Sequence, residues 1–221
     1  MAILAVIIII FVGFAAFSNH SKGTSSNTSG AQPTSHIEGQ GKSGVKLVEY
    51  GDYQCPVCEA YYQPVKQAVS QLNSQIYFQF RNLPLVSIHP NAFAGARAAE
   101  AAGLQGKYWQ MHDLLYDNQS SWAESSNPQS MFDGYAQQLK LNLNQFKQDY
   151  ASSKVNDAIN ADLNAFSKTN QEEATPTFFL DGKYINNSQF SDPQTGLPQA
   201  SKIVAVVQAE IAKKTSAAKS H

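Results

Sequence analysis

The only two cysteines of this 221-residue chain stand in one Cys55-Pro56-Val57-Cys58 run, where β-forming residues give way to a helical period. Val45-Lys46-Leu47-Val48-Glu49-Tyr50 reads as a strand buried over most of its length, and Gly51-Asp52-Tyr53-Gln54 as the loop after it. Beyond the cysteines, Tyr61, Val65, Ala68 and Leu72 recur at spacings of four, three and four, the buried stripe of an amphipathic helix. Pro64 lies inside that helix and is expected to kink it. Ile76-Tyr77-Phe78-Gln79-Phe80 reads as a second strand, which makes a βαβ unit, a connection that is right-handed in nearly all cases.

Two cysteines cannot build the disulfide framework of a small secreted scaffold, nor a four-thiolate zinc or iron–sulfur site. They can form one pair. A formal net charge of −1 with no basic run argues against nucleic acid as a partner, because phosphate binding needs clustered Lys and Arg. The length suits one medium domain with additional segments, or at most two small domains.

Those segments lie at the ends. Met1 to Phe17 carries no charged side chain and reads as a transmembrane anchor or, alternatively, a cleaved signal sequence. As a helix it would span roughly 26 Å. Residues 18–44 are rich in Ser, Thr, Asn and Gly, too polar to offset the entropy of ordering, and read as a flexible linker. The folded domain is expected over 45–214, with a disordered tail at 215–221. Within it, the stretch from about 89 to 169 is helical almost throughout. Pro90 suits a first helical turn, Ala92 to Ala102 is rich in alanine, and Tyr108, Met111, His112, Leu115 and Tyr116 continue the period. After a polar break at 120–127, three more helices are expected at Met131–Leu139, Leu143–Tyr150 and Val155–Phe166. Thr177 to Leu180, the turn Asp181-Gly182 and Lys183 to Ile185 form a hairpin signature, and Ile203, Val204, Val207 and Ile211 mark one face of a terminal helix. The order is therefore βαβ, helical insert, ββα.

Chemistry follows from the position of the pair. Disulfide exchange proceeds by thiolate attack, and a free cysteine, with a pKa of about 8.5, is mostly protonated at neutral pH. At a helix start, unpaired backbone N–H groups and the helix dipole stabilise a thiolate. Cys55 is thus expected to be the exposed nucleophile, and Cys58, one turn on and more buried, the resolving thiol. An inert disulfide is the alternative, a poor one because so short a loop is a weak staple. Copper or zinc held by both thiolates with His89 or His112 is a further alternative, but neither histidine has a ligand-like spacing, so no metal is expected. His112 reads as a packing residue; His20, His36 and His221 fall in segments expected to be disordered. Tyr61, Tyr62 and Trp109 either line an apolar groove beside the dithiol or pack in the core.

The chain resembles thioredoxin-fold thiol–disulfide oxidoreductases of the DsbA-like class, and within it the membrane-tethered BdbD type. The residues that carry the resemblance are Glu49, Cys55-Pro56-Val57-Cys58, His89-Pro90-Asn91-Ala92 through Ala98-Ala99-Glu100-Ala101-Ala102, Gln105-Gly106-Lys107-Tyr108-Trp109 with Met111-His112-Asp113, and Ala174-Thr175-Pro176-Thr177-Phe178-Phe179. The resemblance implies an α/β thioredoxin fold with an inserted helical subdomain, and a cis peptide bond at Pro176 that aims the Thr175 backbone at a substrate chain. It also implies a buried carboxylate at Glu49 that exchanges a proton with Cys58. The strongest oxidants of the class carry histidine in place of Val57, so Pro56-Val57 is expected to tune a milder oxidant. The favoured reading is an anchored, extracytoplasmic dithiol oxidase. Its expected partners are exported proteins with free thiols and a quinone-linked membrane protein that restores the disulfide, and no cofactor is expected. A reductase or isomerase of the same fold, or a tethered peptide- or metal-binding module without turnover, are the alternatives.

Overall fold

The computed structural model describes residues 31–219. A five-stranded sheet has the order β1-β3-β2-β4-β5. Its centre is the βαβ unit: β2 (Val45–Gly51), α1 (Pro56–Leu72) and β3 (Ile76–Asn82), with β2 and β3 parallel from Val45↔Ile76 to Gly51↔Asn82. Between β3 and the second hairpin lie α2 (Ala92–Gly103), α3 (Tyr108–Asp117), α4 (Gln119–Trp122), α5 (Pro128–Gln138), α6 (Leu143–Tyr150) and α7 (Ser153–Ser167). The hairpin β4 (Thr177–Leu180) and β5 (Lys183–Ile185) adds antiparallel to β2, turning at Asp181 and Gly182, both with positive φ. The terminal helix α8 (Ala200–Lys219) packs against α1.

Strand alternation divides the sheet into two unlike faces. Val45, Leu47, Phe78, Phe80, Phe178 and Leu180 join the residues of α1, α3 and α8 in one core. Lys46, Val48, Tyr50, Gln79, Arg81 and Phe179 occupy the other, which is only partly covered: Phe166 of α7 meets the Tyr50 ring edge-on at 5.1 Å. Gly51 marks the tightest contact in the first core. A Cβ there would fall 2.5 Å from the Phe80 ring and 3.2 Å from the Tyr116 hydroxyl, so the last residue of β2 has no room for a side chain.

Several expectations need correction. The stretch Met1–Phe17 and residues 18–30 of the expected linker lie outside the described residues, and no described helix is long and apolar enough to cross a membrane. The linker was expected to reach residue 44, yet β1 (His36–Glu38) pairs antiparallel with β3. Thr34 donates through its amide and hydroxyl to the buried Asp162 carboxylate (2.8 and 2.7 Å), and His36 Nε2 lies 2.9 Å from Glu100 while its ring stacks on Tyr108. Polar side chains order this stretch by serving partners distant in sequence. At the other end, α8 runs through Lys219, five residues past the expected domain boundary at 214, with Thr215 and Ser216 donating to the carbonyls of Ile211 and Ala212. The polar break at 120–127 contains α4, whose Trp122 is fully buried and donates to Leu115 O (2.8 Å). Pro90 precedes α2 instead of opening it, whereas Pro64 lies inside α1 as expected.

Candidate active site

Cys55 is the residue immediately before α1, with extended backbone (φ −70°, ψ 123°), and Pro56 follows in the first turn, where its missing N–H costs nothing. The first free amides of the helix, those of Val57 and Cys58, are directed to the Cys55 sulfur. The Cys55 thiol is pulled from 9.0 down to about 5: the Cys58 thiol, donating to the Cys55 sulfur, is the largest cause, and burial opposes it. Thr175 and the Cys58 and Val57 amides add to the lowering. The Cys58 thiol, fully buried, is pushed well up by desolvation, with the neighbouring Cys55 and Glu49 charges acting in the same direction. The two cysteines are unlinked and titrate in opposite directions, as an attacking and a resolving thiol require. One expectation is corrected: Cys55 is not openly exposed but 5% accessible, and the exposed residues of the motif are Pro56 and Val57, the latter at 49%.

Glu49 sits six residues before Cys55, on the core-facing side of β2, and is 4% accessible. Burial alone raises its carboxyl from 4.5 to about 8. Beside it lies a narrow cavity of about 40 Å³, large enough for water, lined by Glu49, Tyr62, Lys66, His112, Asp113 and Tyr116. Its outer end carries the Lys66–Asp113 ion pair (2.8 Å). His112, pulled down to about 3 chiefly by burial, is a neutral packing residue with Tyr53 Oη 3.0 Å from its Nδ1. Tyr61 and Tyr62 belong to the core, while Trp109 is half-buried against it. Among the described residues no group of three His, Cys, Asp or Glu side chains could hold a metal ion.

The Thr175-Pro176 peptide bond is cis, as the resemblance implies. In the thiol form Cys55 Sγ donates to Thr175 O (3.5 Å), which brings the carbonyl ahead of Pro176 against the reactive sulfur. Thr175 Oγ1 is buried without a hydrogen-bond partner, a free donor beside a sulfur that ionises. Asn187 Nδ2 secures the next carbonyl, that of Pro176 (2.8 Å).

Around the dithiol lies a second set of residues, of which Asp52, Gln54 and Gln119 were not singled out from the sequence. Asp52, buried, receives Leu85 N (3.0 Å) and approaches His89 Nδ1 (2.7 Å) through Oδ2, receives Gln54 N through Oδ1, and directs its own amide to Cys58 Sγ (3.5 Å). Gln119 Nε2 donates to the carbonyls of Tyr53 (2.8 Å) and Cys55 (3.0 Å). Gln54 Nε2 donates to Ala123 O at the α4 end, and Asn91 ties both to the 83–91 loop, its amide donating to Gln54 Oε1 and its Nδ2 to Ala123 O. The active loop is thus fastened to the helical insert and to the 83–91 loop, which leaves the apolar Val86 and Ile88 exposed (56% and 67%) at the same end of the sheet. The aspartate three residues before the first cysteine was a local signal that could have been read; Gln119, 64 positions away from Cys55, gave none.

Residues 31–197 match the family model described as Thioredoxin. Solved structures that share the fold include two from bacteria. BdbD from Bacillus subtilis is 20% identical, with a TM-score of 0.65 over 82% of this chain and 96% of that one. A thioredoxin-like oxidoreductase from Silicibacter pomeroyi is 22% identical, with a TM-score of 0.64 over 81% and 93%. Among curated proteins, a protein of Salinispora arenicola named Na(+)/H(+) antiporter NhaA 1 is 37% identical over 158 residues, 69% of this chain. This chain spans only 22% of that relative's length, so the likeness is to a segment of it.

Proposed function

This chain belongs to the thioredoxin family, and we propose on that footing that it is a thiol–disulfide oxidoreductase acting as a dithiol oxidase on exported proteins. The observation that carries the reading is the opposed titration of the pair, a Cys55 thiol lowered to about 5 beside a buried Cys58 thiol that is raised. In the oxidised protein a substrate thiolate attacks Cys55 Sγ. The Cys55–Cys58 bond breaks, and the Cys58 thiolate takes the proton of the Glu49 carboxyl, which at about 8 still holds it at neutral pH. A second substrate thiolate then attacks the substrate sulfur of the mixed disulfide and expels Cys55. A thiol of low pKa is a good leaving group, and stabilising its thiolate stabilises the reduced protein, which favours net oxidation of substrate. Two electrons pass from the substrate dithiol to the pair; the water-sized cavity between Glu49 and the Lys66–Asp113 pair offers the carboxyl a route to recover its proton from solvent.

The Val57 side chain contributes no charge, but its backbone amide supports the Cys55 thiolate, so the missing histidine is offset in part by the helix start itself. The carbonyl of Thr175 offers an acceptor to an extended substrate segment laid beside Cys55. Exposed Val57, Val86 and Ile88 offer that segment apolar contact. An extracytoplasmic position beside a membrane is supported by the uncharged Met1–Phe17 stretch and by the occurrence of a similar segment in proteins named as antiporters. There a quinone-linked membrane protein would restore the disulfide. The test is the reduction potential of the pair with turnover of a reduced model substrate. A potential above about −200 mV and loss of turnover in Cys55→Ser are expected, whereas a potential near about −270 mV would make the protein a reductase.

A further inference from the structure

The sheet face turned away from the dithiol helix forms the floor of an open cleft of about 740 Å³. Val48 and Phe179, paired across β2 and β4, lie in its middle. Lys46 and Lys214 stand at one end and Arg81 at the other. Asp181 is the one carboxylate among the described lining residues, and it is already occupied: its Oδ2 holds Lys214 Nζ (2.8 Å) and its Oδ1 receives the Lys46 amide (2.8 Å). Among the described residues neither Lys46 nor Arg81 forms an ion pair. Arg81 gives one Nη1 bond to Tyr50 Oη (2.8 Å), and its Nε is buried without an acceptor. The cleft thus carries positive charge at both ends and an apolar centre.

The strand register gives its length. Lys46 and Tyr50 are four residues apart on β2, and Tyr50 faces Arg81 across the β2–β3 pair. At a rise of about 3.3 Å per residue, the cationic ends are separated by roughly 13 Å. That is the spacing of carboxylates four residues apart on an extended peptide. We infer that this cleft binds an acidic peptide segment in extended conformation, its two carboxylates on Lys46 and Arg81 and the intervening side chains on Val48 and Phe179. A flat anionic lipid surface is a poorer match, because the floor is sunk between the Asp181-Gly182 turn and Thr169 at the end of α7. The site is separate from the redox pair: Lys46, Val48 and Tyr50 project to the face opposite Glu49, so peptide binding requires no thiol.

Fluorescence anisotropy on the full-length chain in neutral detergent, with a labelled cysteine-free peptide bearing glutamates four residues apart, tests this. Replacing both glutamates by glutamine is expected to weaken binding roughly tenfold or more, the usual scale for a charge-assisted hydrogen bond lost. Added salt is expected to weaken the glutamate peptide but not the glutamine one. Lys46→Gln, at an exposed position, is expected to produce the same loss, and Lys46→Arg to restore binding. Arg81→Gln should act likewise, with retained circular dichroism excluding a folding defect. Equal affinity for both peptides, or no effect of Lys46→Gln, overturns the inference. Lys46-dependent binding of phosphatidylglycerol micelles without peptide binding overturns it in favour of a lipid surface.

Discussion

Glu49 holds its proton more tightly in the folded chain than in the unfolded one, about 8 against 4.5, because burial penalises the carboxylate. Below the lower value both states are protonated and burial of the carboxyl carries no electrostatic cost. As pH rises through the window between them, the unfolded state ionises first and stability falls, the loss being complete above about 8. Glu49→Gln is therefore expected to flatten this slope, gaining on the order of a few kcal/mol relative to the parent between about pH 5 and about pH 9. Denaturant titrations of the oxidised protein measure it, since the lowered Cys55 thiol would add a slope of opposite sign in the reduced form. A difference independent of pH would show that the carboxyl is ionised in the folded protein. Cys55 and Cys58 were legible in the sequence because their meaning is local, a dithiol at a helix start, whereas the buried carboxyl at Glu49 was implied by the family resemblance. Gln119 was not legible, because a polar residue in a short helix acquires its role from what faces it, and nothing in the chain's periodicity shows which carbonyls it meets.

Among the elements, α4 illustrates the limit of periodicity. Four residues, Gln-Ser-Ser-Trp, present no amphipathic stripe, so the stretch reads as a break. Yet it carries both a fully buried Trp122 and the amide that holds the Cys55 carbonyl. Gln119→Ala is expected to cost about 1 kcal/mol in stability, the usual net worth of a lost hydrogen bond. It should also slow thiol–disulfide exchange by freeing the loop before α1; stopped-flow reaction with a model disulfide measures this, and an unchanged rate would show that α1 alone fixes the sulfur. The longer helices α5, α6 and α7 and the β4–β5 hairpin were readable within a few residues, because each buries a periodic stripe or turns on Asp-Gly. The strand β1 was unreadable for the opposite reason. Two of its three residues are polar, and it is held by Glu100 on His36 and by Asp162 on the preceding Thr34, side chains more than sixty positions away.

At the scale of the molecule, the helical insert and the βαβ unit are not separate bodies. Leu47 and Phe80 of the sheet share one core with Met111, Trp122, Phe132 and Ile159 of the insert. Both tryptophans, Trp109 and Trp122, lie in the insert, whereas the strands report through circular dichroism. The two signals are expected to give one coincident denaturant transition, and tryptophan fluorescence changing first would show that the insert opens alone. The cationic cleft on the far face was also beyond sequence reading, since Lys46, Arg81 and Lys214 become neighbours only when strand register and the terminal helix are known. The sheet is bounded by β1 and β5, three residues each. Edges that short expose almost no unpaired ladder, so copies crowded together have little to zip against, and strand-to-strand aggregation is blocked by geometry before any surface charge acts.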